Sequence, residues 1–248
     1  DFDAQQNSMT LHLKKLYPNE KNNGSFVYST RGITIFSKDV KSIEKKFKNK
    51  HSLKELGFDV ITGNYVWNQN KEYMSTDKRD TLLIWACNIT NNILNLYPKS
   101  STGKLKLGLE EAFIGPIKEK QKRPSAHQKS QHVSGHSENR PAINKKSIVV
   151  NRVTGCGKKA QIRAAIVDIN RPYYTENHVN YIIESEDSKM SLEELHVKLI
   201  SKETAEILQY ISGNTQLSKK ELLNLVPIKL DKPDEPWYIN NNNGGIMK

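Results

Sequence analysis

Cysteine is scarce. The 248-residue chain holds two, Cys87 and Cys156, and no Cys-x-x-Cys pair. That argues against a zinc ribbon and against a disulfide framework. Cys87 sits in the apolar run LLIWACNI and reads as a buried thiol. Cys156 lies between Gly155 and Gly157 beside two lysines, with no placed base that would make it a nucleophile. Both fit a reduced, cytoplasmic setting. No apolar run approaches the roughly 18 residues of a membrane span, and no signal peptide is visible. The chain begins at Asp1 rather than Met, which reads as an excised domain or a fragment. An early glycine-rich cofactor turn is missing. Gly155-Cys156-Gly157-Lys158-Lys159 lacks the first glycine and the hydroxyl residue of a nucleotide-hydrolase phosphate loop.

What is present is charge, unevenly placed. Net charge is +11, and the hydrophobic fraction is a modest 36%. Between Lys99 and Arg163 there are 15 Lys and Arg against four Glu, while the rest of the chain balances at 23 against 23. A neutral body with one basic segment is an electrostatic footprint for a polyanion, and nucleic acid is the first candidate. The plainer alternative is a solvated loop without a partner.

The element pattern is mixed. Ser25–Ser29 and Gly32–Phe36, parted by Thr30-Arg31, read as a hairpin. Ser37–Lys48 reads as a helix with Val40, Ile43 and Phe47 on one face and Ser37 or Asp39 as cap. Phe58–Ile61 and Tyr65–Trp67 read as a second hairpin around Thr62-Gly63-Asn64, with Gly63 or Asn64 at positive φ. Trp67–Thr81 reads as a long polar loop, and Leu82–Ile89 as a buried strand or short helix. Ile93–Tyr97, Ser147–Val153, Ala160–Ile169 and Glu176–Glu184 read as strands. Ser191–Leu199 and Glu203–Ile211 read as helices, and Ser218 with Glu221 as a capping box opening Lys219–Leu225. Residues 118–146 have almost no apolar side chains and read as a mobile basic loop. Their His127, His132 and His136 lack the ordered frame that zinc requires. Residues 241–248 read as a tail. We find no internal repeat.

The stretch Gly57–Lys71, GFDVITGNYVWNQNK, carries the most information. Its polar tip Asn68-Gln69-Asn70-Lys71 pairs amides, which suit base edges, with a lysine suited to phosphate. The alternative is a hairpin whose Trp67 is simply core. The pattern G-F-x-V-x-T-G-x-x-V-W-N-Q-x-K resembles the segment that follows the catalytic domain in one class of adenine DNA methyltransferases. Ile148–Gly157 with Tyr174–Ile182, and Gly213–Ile228, are similar to later stretches of that family in the same order. The resemblance implies a target-recognition domain of a restriction–modification type enzyme, over residues 17–240, binding duplex DNA. Residues 1–16 would be the last strand of a missing N-terminal catalytic domain that holds S-adenosylmethionine, so this chain alone would bind no cofactor. The implied fold is α+β, with a curved, mostly antiparallel sheet, short flanking helices and the long basic loop.

On chemistry, Asn68, Gln69, Asn70, Asn151 and Arg152 suit major-groove contacts. Lys71, Lys158 and Lys159 suit phosphates, or else the glycine turn beside the last two is only a tight turn. Asn170-Arg171-Pro172-Tyr173 departs from the family's Asn-Pro-Pro-Tyr turn at Arg171, lies far downstream, and reads as an ordinary turn. Asp168, Asp187 and Lys189 match a permissive magnesium-nuclease pattern, which is the alternative function. Glu176-Asn177-His178 is either an acid–base group or a satisfied histidine at a strand edge. A basic protein-interaction module is the third reading.

Overall fold

The computed structural model describes residues 26–70, 73–75, 77–96, 132–133, 141–155, 160–211 and 216–230. It is an α+β fold of mostly antiparallel sheets and short helices. The chain opens with a hairpin, β1 (Val27–Thr30) on β2 (Ile33–Phe36). Arg31 and Gly32 turn it with φ of 50° and 72°, the paired left-handed geometry that a tight hairpin needs. α1 (Val40–Phe47) follows and buries Val40, Ile43 and Phe47, the face expected from the sequence. Asp39 is its N-cap without a side-chain bond to the helix; Ser37 Oγ instead accepts from Asp39 N–H at 3.0 Å.

Two four-stranded sheets make the body. The first runs β10 (Ala164–Val167), β9 (Ser147–Asn151), β12 (Val179–Glu184), β3 (Phe58–Thr62), antiparallel throughout. Central β9 is buried at every residue, and its β-branched run Ile148-Val149-Val150 suits a strand covered on both faces. The second runs β11 (Tyr173–Thr175), β5 (Thr81–Ile84), β8 (His132–Val133), β4 (Met74–Ser75). Its β11–β5 pair is parallel. A small hairpin, β6 (Ile89–Thr90) on β7 (Ile93–Leu94), forms its own two-stranded sheet against β9 and β10, turning through Asn91 and Asn92 at positive φ.

Strand alternation builds layers. Ile148, Val150, Ile182 and Val60 point to one side of the first sheet. There they meet Leu192, Leu195 and Leu199 of α2 (Leu192–Leu199), Ile207 and Leu208 of α3 (Lys202–Ile211), and Leu222 of α4 (Lys219–Asn224). Val149, Ala165, Val167 and Val179 point to the other side and pack on Leu82, Ile84 and Tyr173 of the second sheet. The far face of the second sheet carries a smaller cluster of Tyr65, Met74, Leu83, Trp85 and Tyr174. Capping boxes open α2 at Ser191–Glu194 and α4 at Ser218–Glu221.

Three local expectations change. The second hairpin does not form: β3 pairs with β12, and Thr62 bonds Asn180, 118 residues away. Gly63 is not at positive φ. It is needed for close approach instead, since a Cβ there would lie 2.2 Å from the Glu176 carbonyl oxygen. The apolar run Leu82–Ile89 breaks after β5 into a 3-10 turn, Ala86–Asn88, because buried Asn88 accepts from Trp85 N–H at 2.7 Å. The span 118–146 is not loop throughout: His132–Val133 joins β4 and β5, and Ile143 bridges Tyr173.

Candidate nucleic-acid interface

After β3 the chain crosses from one sheet to the other. Gly63 N–H donates to Val179 O at 2.8 Å, and Tyr65 then bridges Glu176 in parallel. The buried Tyr65 ring donates its hydroxyl to Asn70 O at 2.8 Å. Gln69 N–H donates to Val66 O at 3.0 Å, and Asn70 Nδ2 to the same carbonyl at 2.9 Å. Half-buried Trp67 packs near Trp85, ring centroids 6.4 Å apart. These bonds close a compact loop over Val66–Asn70. The loop leaves the Asn68 and Gln69 side chains exposed and without a bond to any described residue. Such side chains are ready to pair with base edges at no cost in internal bonds.

The turn between β11 and β12 supports this loop from below. Asn177 N–H donates to Tyr65 O at 3.1 Å. Its own carbonyl accepts from Arg152 Nη1 at 2.8 Å, and His178 O accepts from Arg152 N–H at 3.0 Å. The base of the tip and Arg152, far apart in sequence, thus meet on one turn. The two do not share a role. Arg152 is half-buried and tied to backbone, with its Nε buried and unpartnered. Asn151 is 5% exposed, and its carboxamide oxygen accepts from Val153 N–H at 2.8 Å. Asn70, Asn151 and Arg152 therefore hold turns, while Asn68 and Gln69 face outward. Lys71, Lys158 and Lys159 lie outside the described residues.

Glu176 and His178 form a further chemical pair. The Glu176 side chain is 3% exposed and His178 is 51% exposed, with Nδ1 and Oε1 2.7 Å apart. The other carboxylate oxygen accepts from His178 N–H at 2.9 Å. A buried carboxylate so placed fixes the ring orientation and leaves Nε2 as the free nitrogen. Adjacency in sequence hinted at the pair; only burial separates the two roles.

The other chemical candidates resolve into structure. Tyr173 is buried, and its hydroxyl lies 2.5 Å from Ser147 Oγ. Burial pushes its phenol up to about 12. Its ring belongs to the inter-sheet core and has no free face for a base. Arg171 donates to the carbonyls of Lys78 (2.9 Å) and Asp80, pinning the turn before β5. Asp168 pairs with Lys146 at 3.0 Å, and Glu193 lies on the same ammonium at 2.5 Å. Glu193 first, then Asp168, holds the Lys146 ammonium above its ordinary range. Asp168 follows edge strand β10, while Asp187 and Lys189 pack against the residues leading into β3. The sheet order puts those edges three strand spacings apart, roughly 14 Å. The nuclease constellation is therefore not assembled. Among the described residues no group of three His, Cys, Asp or Glu could hold a metal ion, and no helix is long and apolar enough to cross a membrane. His132 contributes backbone to β8; His127 and His136 lie outside the described residues.

Compared with family models and with curated proteins, the chain matches none.

Proposed function

We propose that this chain binds duplex DNA in a sequence-specific way, as the target-recognition domain of an adenine-specific DNA methyltransferase of restriction–modification type. The observation that carries the reading is the braced loop Val66–Asn70, which holds two exposed amide side chains outward from a packed base. The excess of basic residues between Lys99 and Arg163 supplies the phosphate attraction such a reader needs. Asn68 and Gln69 read base edges, and the basic segment, with Lys71, Lys158 and Lys159, contacts the backbone. The chain contains no glycine-rich cofactor turn and no intact Asn-Pro-Pro-Tyr turn. Methyl transfer and S-adenosylmethionine therefore belong to a companion N-terminal catalytic domain, in a cytoplasmic enzyme.

The test is duplex binding by fluorescence anisotropy across salt. With about six phosphate contacts, affinity falls on the order of a thousandfold between about 50 and 200 mM salt. Sites selected from a random duplex pool then show the reader. Gln69→Ala costs roughly 1–3 kcal/mol on the selected site and little on random duplex, with an unchanged melting temperature. Asn70→Ala lowers the melting temperature instead. A flat salt response, or a pool that yields no preferred site, overturns the reading.

A further inference from the structure

A cleft of about 390 Å³ opens beside the β6–β7 hairpin, between that hairpin and the ends of β9 and β10. Its volume lies in the range of small-molecule sites, roughly 300–1,000 Å³. Ala86 and Ile89 give it an apolar wall; Cys87, Thr90, Asn91, Asn151 and Arg163 line the rest. Among the described residues no acidic side chain lines it.

The polar lining is donor-rich. The Asn151 carboxamide oxygen is already taken by Val153 N–H, which fixes the amide orientation. Its NH2 group has no bond to a described residue, on a residue that is 95% buried and lines the opening. Arg163 lies directly across from Asn151, since Asn151 N–H donates to Arg163 O at 2.9 Å one step beyond the β9–β10 register. The Arg163 side chain is exposed and, among the described residues, donates once, to Val153 O at 3.1 Å, which leaves other donors of its fork for a ligand. The cleft is braced from above: Asn92 Oδ1 accepts from Ala164 N–H at 3.3 Å, holding the β6–β7 turn over the strands. A buried amide donor and a guanidinium, with no acid among the described lining residues, call for an oxyanion. The apolar wall calls for a body larger than a bare phosphate.

We propose that this cleft binds a nucleoside monophosphate unit, its phosphate on Arg163 and the Asn151 amide, its base against Ala86 and Ile89. The same unit is available as a free nucleotide or as one nucleotide of a strand. The cleft shares no described lining residue with the Asn68–Gln69 reader, and the proposal does not depend on duplex recognition.

Cys87 provides a local reporter, in no disulfide and half-buried at the site. In the full chain carrying Cys156→Ser, the alkylation rate of Cys87 and the melting temperature are followed against 2′-deoxyadenosine 5′-monophosphate, deoxyadenosine, inorganic phosphate and a short single-stranded oligonucleotide. The expected result is saturable binding of the monophosphate, with Cys87 protected and the melting temperature raised. Deoxyadenosine and phosphate alone bind at least about tenfold more weakly. Arg163→Gln weakens the nucleotide about tenfold or more, while Lys45→Gln on the exposed face of α1 changes nothing. Saturation by the free monophosphate identifies a soluble ligand, and saturation by the oligonucleotide alone identifies a strand nucleotide. No saturable response to either, or binding unaltered by Arg163→Gln, overturns the proposal. Nucleotide binding in a chain that ignores duplex DNA removes the recognition reading and leaves this one standing; the reverse result does the opposite.

Discussion

The two sheets hold together in different ways. The first has strands of four to six residues in long antiparallel registers, and four helices contribute to the cluster on its outer face. That cluster holds 24 buried side chains, against five in the aromatic cluster beyond the second sheet, among the described residues. The second sheet has strands of two to four residues. Its connections are pinned by side chains bonded to backbone: Asn70 to Val66, Asn88 to Asn95, Arg171 to Lys78 and Asp80. Apolar burial is non-directional and scales with area, at about 25 cal/mol per Å². Hydrogen bonds are directional and individually modest. A region built on the second kind of contact can project polar tips where a continuous core would have to cover them. The candidate reader sits in that region, and the large core lies across the molecule from it.

The comparison breaks first at Gly63, where the chain leaves one sheet for the other. Gly63→Ala drives a Cβ into the Thr175 and Glu176 carbonyls, so backbone in both sheets must move. Loss of more than about 3 kcal/mol in urea unfolding is expected, with both regions affected. A smaller loss than at Leu195 would mean that the sheets are joined more loosely than their contacts imply.

Leu195→Ala comes next. The residue is 0% exposed in the helix-covered core, and its truncation costs about 3 kcal/mol. Hydrogen exchange should speed in the first sheet and hardly change at Val66–Asn70. Asn88→Ala tests the other region. It strips a bond from buried Trp85 N–H and bonds to the Asn95 and Leu96 carbonyls. About 2 kcal/mol is expected, with near-ultraviolet circular dichroism reporting the tryptophan shift.

The smallest effect belongs to the surface of the large core. Lys50 donates to Glu203, and that bond first, then the lysine charge, holds the Glu203 carboxyl below the usual carboxylate range. A lowered folded-state value means stabilisation that is full above the ordinary range and lost as pH falls through the folded value. Glu203 is 60% exposed, so solvent screening limits Glu203→Gln to under about 1 kcal/mol at neutral pH. Denaturant midpoints of the two proteins should converge as pH falls through the lowered folded-state value of Glu203.

The sequence by itself determined what depends on neighbours a few residues apart. The β1–β2 hairpin, the buried face of α1, the apolar run of β9 and the Ser218–Glu221 box were all legible. Each follows from side-chain periodicity or a local backbone bond. The Ser191–Glu194 box carries the same local signal. In the candidate site, the amide tip was legible as chemistry, but the division of labour within it was not. Asn68 and Gln69 differ from Asn70 only in what lies behind them, a Tyr65 hydroxyl and a Val66 carbonyl. Tertiary structure alone decided that β3 pairs with β12 and that β5 takes β11 in parallel. It alone sank Glu176 beneath His178 and set Asn151 opposite Arg163 over a cleft. These choices are made between segments distant in sequence, where the gain from covering both faces of a strand outweighs the entropy of closing a long loop. No local pattern records which partner wins.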